Sequence, residues 1–287
     1  MIIRQIRGYI SYVMVDIACI GHITQDHIIT SSLDYYALGG TAYYISVGVS
    51  SLIYKDNEES SDTTSSKTNK LSFQLVTKEG PQHFFENKYG ENMNNRQQRV
   101  LSVADPFTMQ DLCDVNARYI ILGSLLASDF SVEIIKEMSK RGTLVLDVQG
   151  FLREVRGEKV YAVDWEEKLE ALRYVDILKV NEYEMEVITG CSDAHQAALK
   201  LAEWGVKEVL LTFGSFGSLV YDSNTDTFYD IPAFPPNPLV DATGCGDTYV
   251  MGYVYKRAQG ASVEDSAIFA ARVSTAKLQV KGPYREL

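Results

Sequence analysis

Short apolar runs alternate with stretches of helical periodicity along most of the chain. Residues 15–20 form a compact apolar run that ends at Gly21, the pattern of a buried strand feeding a turn. After Gly39 and Gly40, the small and aromatic residues of 41–54 predict a helix. Residues 55–70 are dense in Ser, Thr, Asn, Asp and Glu, hold too little apolar surface to offset ordering entropy, and predict a mobile loop. Strands are expected at 71–76, 83–86 and 99–103. Further on, the pattern predicts strands at 118–122, 143–147, 176–181, 207–212 and 217–221. Helices are expected between them: one with Phe130, Ile134, Ile135 and Met138 on a single face, one near 164–173, and one over 193–204 closed by Gly205. Two helices, near 247–258 and 262–278, follow.

Strands alternating with helices imply an α/β fold whose sheet is mostly parallel and covered on both faces. No internal repeat and no clear linker interrupts the chain, so 1–287 reads as a single domain, with 1–14 as a tail. Two stretches, about 22–40 and 71–103, carry strands without helical partners and predict a separate small sheet, a lid. Open parallel sheets bind ligands outside the carboxyl ends of their strands. Four polar or glycine-rich segments sit at such ends: 21–26, 181–184, 212–217 and 241–247.

Composition narrows the partners. The 287 residues are 46% hydrophobic and 23% charged, ordinary for a globular protein, and the formal net charge is −11. So acidic a chain is not expected to bind nucleic acid or anionic membrane, because phosphate binding is driven by Lys and Arg. A small polyanion would have to be held by backbone N–H groups, a metal ion and a few placed cations. The four cysteines, Cys19, Cys113, Cys191 and Cys245, show no CxxC spacing and read as reduced thiols of a cytoplasmic protein. No segment approaches membrane-spanning length. The motifs G-x-x-x-x-G-K-[ST] and HExxH are absent, and His22, His27, His83 and His195 lack metal-ligand spacing. His22 reads as a surface or lid histidine, with a place beside the substrate as the alternative.

The sharpest chemical signal is Asp241-Ala242-Thr243-Gly244-Cys245-Gly246-Asp247 ahead of an apolar helix. Gly244 and Gly246, with small Cys245 between them, leave main-chain amides uncovered at a helix start, which favours an anion. Asp247 stands beside them, able to accept a proton from a hydroxyl. Phosphoryl transfer needs that pair: charge stabilisation at the phosphate and a base at the nucleophile.

This segment resembles the D-T-x-G-A-G-D signature of the ribokinase (PfkB-type) family of carbohydrate kinases, with Ala242 in place of Thr and Cys245 in place of Ala. The resemblance implies a ribokinase-like three-layer α/β/α fold with a small β lid, ATP and Mg2+ as cofactors, and Asp247 as base beside the Gly244, Cys245 and Gly246 amides. Asn181-Glu182-Tyr183-Glu184 resembles the family's N-x-x-E, which implies that Asn181 and Glu184 organise the metal through water; by residue type alone an N-capping Asn and a solvated acid is the preferred reading. Thr212-Phe213-Gly214-Ser215-Phe216-Gly217 resembles T-x-G-x-x-G, implying nucleotide contacts at Thr212, Gly214 and Gly217, where a plain hairpin loop is the alternative. Ala267, Ala270, Ala271 and Ser274 form a small-residue face that the family packs against adenine; close helix packing would use the same residues.

Toward the N-terminus, Asp26 in the 21–26 segment resembles the aspartate that binds sugar hydroxyls, and Gly39-Gly40 resembles the di-glycine that lets a substrate lie close. Ribokinase-like members often carry an Asn soon afterwards; here Thr41-Ala42-Tyr43-Tyr44 follows, which implies a pocket shaped for something other than ribose. The segments 84–90, with Arg96 and Arg99, and 147–153 resemble the inositol-kinase-like members. The expected activity is therefore ATP-dependent phosphorylation of a small sugar or polyol. A nucleoside kinase and a non-catalytic ligand-binding protein on the same fold are the alternatives. Exposed lid edges give a motive for a homodimer.

Overall fold

The computed structural model describes residues 14–31, 34–61, 70–89 and 96–285; the expected tail, apart from Met14, and residues 62–69 of the expected loop lie outside them. Strand β1 (Val15–Gly21) opens the fold, and β2 (Thr24–Ile29) and β3 (Asp34–Gly39) lead into helix α1 (Thr41–Ser61). Next come β4 (Phe73–Val76), β5 (Phe84–Tyr89), β6 (Arg96–Ser102), β7 (Ala117–Gly123), α2 (Val132–Met138) and β8 (Thr143–Asp147). A hairpin of β9 (Arg153–Arg156) and β10 (Lys159–Ala162) precedes the short α3 (Lys168–Ala171). The remainder runs β11 (Ile177–Asn181), α4 (Glu182–Thr189), α5 (Ala194–Glu203), β12 (Glu208–Thr212), β13 (Ser218–Asp222), β14 (Thr227–Ile231), α6 (Cys245–Ala258) and α7 (Val263–Leu278).

An eight-stranded sheet in the order β14-β13-β12-β11-β8-β7-β1-β4 forms the middle layer. From β4 to β12 neighbouring strands are parallel, and β13 and β14 add an antiparallel edge. Side chains of a strand alternate between faces, and here both faces are buried. Ala18 and Ile20 of β1 join Leu178 and Val180 of β11 in one core with α2, α4 and α5. Ile17, Cys19 and Ile177 face the other way, into a core with α1, α6 and α7. Three layers result, as the resemblance implied. The last two helices sit so close that a Cβ on Gly252 would lie 2.5 Å from Val273 Cγ2 and 3.0 Å from Ala270 Cα.

A second sheet, in the order β3-β2-β5-β6-β10-β9, is the lid. Two sequence expectations change here. Strand β4, placed with the lid by its lack of a helical partner, pairs in parallel with β1 in the large sheet; Phe73 registers with Ile17 and Val76 with Ile20. Its covering helix is α1, which precedes it in the chain. The lid gains instead the β9–β10 hairpin, whose Lys159 pairs with Arg99 of β6. The polar segment from 55 was expected to be loop, yet α1 continues to Ser61. A tertiary contact accounts for part of this: Asp56 accepts hydrogen bonds from the Tyr255 hydroxyl (2.5 Å) and the Gln259 amide (2.8 Å), tying the helix to α6. Among the described residues, no helix is long and apolar enough to cross a membrane.

Candidate active site

The turn at 241–247 ends with Gly244 as the N-cap of α6, at φ 78°. That left-handed backbone suits glycine, and a Cβ there would also lie 2.2 Å from the Tyr44 ring of α1. Because the cap is glycine, no side chain satisfies the first amides of the helix. The Cys245 amide turns back to the Ala242 carbonyl (3.3 Å), so the amides of Gly246 and Asp247 carry the anion-binding potential of this 14-residue helix. Burial pushes the Cys245 thiol up to about 12, so it stands as a neutral thiol rather than a thiolate. Ser274 of α7 donates to the Cys245 carbonyl at 3.3 Å, so it braces the turn from behind.

Asp247 keeps some solvent exposure but is densely surrounded by protein. Burial, reinforced by the nearby Asp147 carboxylate, pushes its carboxyl up to about 6, while Thr41, Lys179 and Arg153 pull it partly back. It is therefore a carboxylate at neutral pH with more proton affinity than a surface aspartate, as a general base requires. Beneath it lies an ionic cluster that sequence reasoning missed. Lys179 Nζ, almost wholly buried in β11, is 3.2 Å from Asp147 and 3.7 Å from Glu184. Burial alone would lower the lysine; Asp147, Glu184 and Asp247 reverse that and hold it charged. Its ammonium lies 3.1 Å from where a Gly246 Cβ would stand, directly under the turn that starts α6. The signal was available, since a lysine inside the otherwise apolar run Ile177–Val180 is rarely buried without a partner. Arg153, at the start of β9, is the second cation that acts on Asp247.

Asn181 and Glu184 form a capping box on α4. Asn181 Oδ1 accepts from the Tyr183 and Glu184 amides (3.0 and 2.9 Å), and Glu184 Oε2 accepts from the Asn181 amide (2.8 Å). The pair is thus fixed by the helix it starts, at the same sheet edge as Thr212, which registers with Asn181 across β11 and β12. With these oxygens engaged by backbone amides and by Lys179, a Mg2+ would meet them through its own waters rather than directly. Beyond Thr212, Gly214 (φ 55°) and Gly217 (φ 97°) shape the loop into β13; a Cβ on Gly217 would lie 2.2 Å from the Ile231 carbonyl. Ala271 is partly exposed on α7, whereas Ala267 and Ala270 are spent on packing.

The lid supplies a polar row. Asp26 Oδ1 accepts from the Thr24 hydroxyl (2.6 Å), and Asp26 Oδ2 accepts from the Asn87 amide (3.3 Å). Asn87 in turn accepts from Gln98 at 2.9 Å. Gly39, opposite Thr24 in β3, lets the Asp26 carboxylate lie against the backbone: a Cβ there would come within 2.5 Å of Asp26 Oδ2. Gly40 (φ 86°) likewise passes His22 O, 2.6 Å from a hypothetical Cβ. Tyr44 connects the two halves of the site. Burial, with Asp241, Asp247 and Asp26 around it, holds its phenol above the usual range. The lid aspartate and the turn aspartate both act electrostatically on this one side chain. Asn87 and Gln98 were not singled out from sequence, because strand polar residues are common on exposed lid faces.

His22 is neither a surface residue nor a ligand to this site. It is buried against His83 and Phe107, and burial lowers its imidazole to about 4. His22, His83 and Asp129 come within 4.8 Å of one another, despite their scattered positions in sequence. His83 Nε2 pairs with Asp129 Oδ1 (3.0 Å) and His83 Nδ1 accepts from the Ala104 amide (3.1 Å). Asp129 Oδ2 takes the Leu125 and Leu126 amides. These bonds engage both His83 nitrogens and both Asp129 oxygens, and the group pins the crossing from the large sheet into β5.

Comparison with known proteins bears on this geometry. A sequence profile described as "pfkB family carbohydrate kinase" matches residues 60–287. Arabidopsis thaliana ribokinase is 30% identical over 173 residues, 58% of this chain and 42% of that protein. A cytidine kinase of Thermococcus kodakarensis is 39% identical over 98 residues, 33% of this chain and 34% of that one. The chain thus spans about two fifths and one third of the lengths of these relatives. Among solved structures, a sulfate complex of a pyrophosphate-dependent kinase in the ribokinase family superimposes with TM-score 0.77 and 26% identity, over 94% of this chain and 97% of that one. A pyrophosphate-dependent kinase in the ribokinase family bound to a pyrophosphate analog and myo-inositol gives TM-score 0.76 at 26% identity, with the same coverage.

Proposed function

The chain belongs to the pfkB family of carbohydrate kinases, and we propose that it transfers a phosphoryl group from ATP to a hydroxyl of a small polyol. The observation that carries this reading is Asp247, a carboxylate raised to about 6, placed beside the side-chain-free N-terminus of α6. A protein that only bound ligands would have no use for a base at that point.

The acceptor lies between the lid and the turn. Asp26, steadied by Thr24 and Asn87, accepts hydrogen bonds from its hydroxyls, and Gly39 and Gly40 let it approach the backbone. Asp247 takes the proton of the attacking hydroxyl. The Gly246 and Asp247 amides, with Gly244 and Cys245 shaping the turn, receive the negative charge of the transferring phosphoryl group. Lys179 supplies a fixed positive charge below them. Mg2+, held through water by Asn181 and Glu184, would neutralise charge on the donor phosphates. Thr212, Gly214 and Gly217 line the donor's path, with Ala271 and Ser274 on the facing helix. Lid closure keeps water from competing with the acceptor.

A polyol is favoured over ribose because Thr41-Ala42-Tyr43-Tyr44 follows Gly40 and because of the likeness to a kinase bound to myo-inositol. The same likeness favours pyrophosphate as a second reading of the donor. The deciding experiment is a transfer assay pairing ATP or pyrophosphate with myo-inositol, ribose, fructose and cytidine. Turnover with myo-inositol and ATP is expected. Turnover with cytidine alone would replace the polyol reading by a nucleoside kinase, and no transfer to any acceptor would leave a binding protein.

A further inference from the structure

The turn that receives the phosphoryl group begins with a carboxylate of the wrong sign. Asp241 opens the 241–247 segment, and an uncompensated anion there would repel the anion the turn is built to hold. Its partner is Lys277, in the last turn of α7, with no solvent exposure at all. Lys277 Nζ donates to Asp241 O (2.8 Å), Asp241 Oδ2 (3.0 Å) and Val280 O (3.4 Å). The ammonium thus sits among three oxygens as a small bound cation would, but is tethered to a helix. The rest of Asp241 is equally fixed. Oδ1 accepts from the Thr243 amide (2.9 Å), Oδ2 also accepts from the Gly282 amide (3.2 Å), and the Asp241 amide donates to Leu278 O (3.2 Å). The hold on Asp241 from outside the turn therefore comes from the Lys277 to Gly282 segment.

We propose that Lys277 is a positioning residue for phosphoryl transfer: its ammonium cancels the Asp241 charge and locks the turn so that the Gly246 and Asp247 amides stay aimed at the transferring group. The proposal rests on the kinase reading above. It differs from a role in stability alone, because the lysine lies outside the acceptor space and holds two carbonyls besides the carboxylate. Removing it leaves an oxygen-lined hollow that a free ammonium ion can occupy.

The test uses the full chain. Wild type and Asp247→Asn first establish transfer and its loss. Lys277→Ala is then assayed in ammonium chloride and in tetramethylammonium chloride at equal ionic strength, the latter cation having no N–H to donate. The expected result is kcat lower by about 10²-fold with acceptor KM nearly unchanged, and recovery in ammonium but not in tetramethylammonium. A folded Lys277→Ala that keeps wild-type kcat, or loses activity without responding to ammonium, overturns the proposal. Should that variant not fold, Asp241→Asn/Lys277→Met removes both charges together. It is expected to fold and to remain slow, since the carbonyls of Asp241 and Val280 have still lost their donor; wild-type kcat in it overturns the proposal. An inactive wild type overturns the kinase reading and this one with it, whereas an active wild type beside an indifferent Lys277→Ala overturns this one alone.

Discussion

The hydroxyl of Tyr89, the last residue of lid strand β5, lies 3.2 Å from the hydroxyl of Thr243 in the turn that leads into α6. One hydrogen bond thus joins the sheet that carries Asp26 to the segment that carries Asp247. Under the proposed function, a lid fastened there would hold the acceptor's binding groups and the reacting groups in one register. Tyr89→Phe removes the bond while keeping the ring. Steady-state kinetics should show acceptor KM raised about fivefold, the equivalent of roughly 1 kcal/mol for one hydrogen bond, with donor KM unchanged. An unchanged acceptor KM would mean that the contact plays no part in the bound state.

Turnover should depend on the ionisation of Asp247. Because burial raises its carboxyl to about 6, it is protonated and idle below that pH. A plot of kcat/KM against pH is expected to climb through an inflection near 6 in the free enzyme and level off above it. Asp247→Asn should lower kcat by about 10²–10⁴-fold, the usual worth of a general base, and abolish that inflection.

The same carboxyl is a burden on the fold. A folded-state pKa above the unfolded value of 3.8 means the native protein binds the proton more tightly. Its contribution to stability is therefore greatest at low pH and declines as pH rises from about 4 through about 6. At pH 8, Asp247→Asn should raise the thermal midpoint, by an amount worth about 1–2 kcal/mol once partial solvent exposure is allowed for. The gain should vanish near pH 4. A variant that melts lower than wild type at pH 8 would count against a desolvated carboxylate.

Gly39→Ala tests the acceptor side. The added methyl would meet Asp26 Oδ2 at 2.5 Å and Thr24 Oγ1 at 2.7 Å, so the carboxylate must swing away from its place. Acceptor KM should rise by about tenfold or more, as expected when a site loses the partner of a substrate hydroxyl. Donor KM should hold. An acceptor KM within twofold of wild type would remove Asp26 from the binding site.

Lys179→Met would leave Asp147 and Glu184 side by side with no cation between them. Breaking a buried ion cluster on one side commonly costs about 3–5 kcal/mol, and denaturant melts should show a loss of that order. The charge-conserving Lys179→Arg should recover much of the stability but little of kcat, since the ammonium fits the space below Gly246 by its small size. Equal recovery of both would reduce Lys179 to a structural role.

Much of the fold was legible because strand and helix periodicity are local. The runs at β1, β7, β8, β11 and β12 are mostly apolar, as strands covered on both faces must be, and the helices between them show apolar stripes. Failures fell where a distant partner decided the outcome. Strand β4 joined the large sheet because β1 offered an open edge, and α1 outran its expected end as Asp56 met Tyr255 and Gln259. The β9–β10 hairpin went unseen because its pairing with β6 lies more than fifty residues away.

What the sequence determined by itself was the chemistry of single segments: glycines and an aspartate ahead of an apolar helix, and a di-glycine after an early strand. Those properties belong to a few consecutive residues, so they can be read without knowing where anything else lies. The tertiary structure alone decided which charges share a space. Lys179 beneath Gly246, Lys277 upon Asp241, Asn87 beside Asp26 and Tyr44 against Gly244 are contacts across the chain. Electrostatic energy depends on distance and burial, and neither is a property of sequence position.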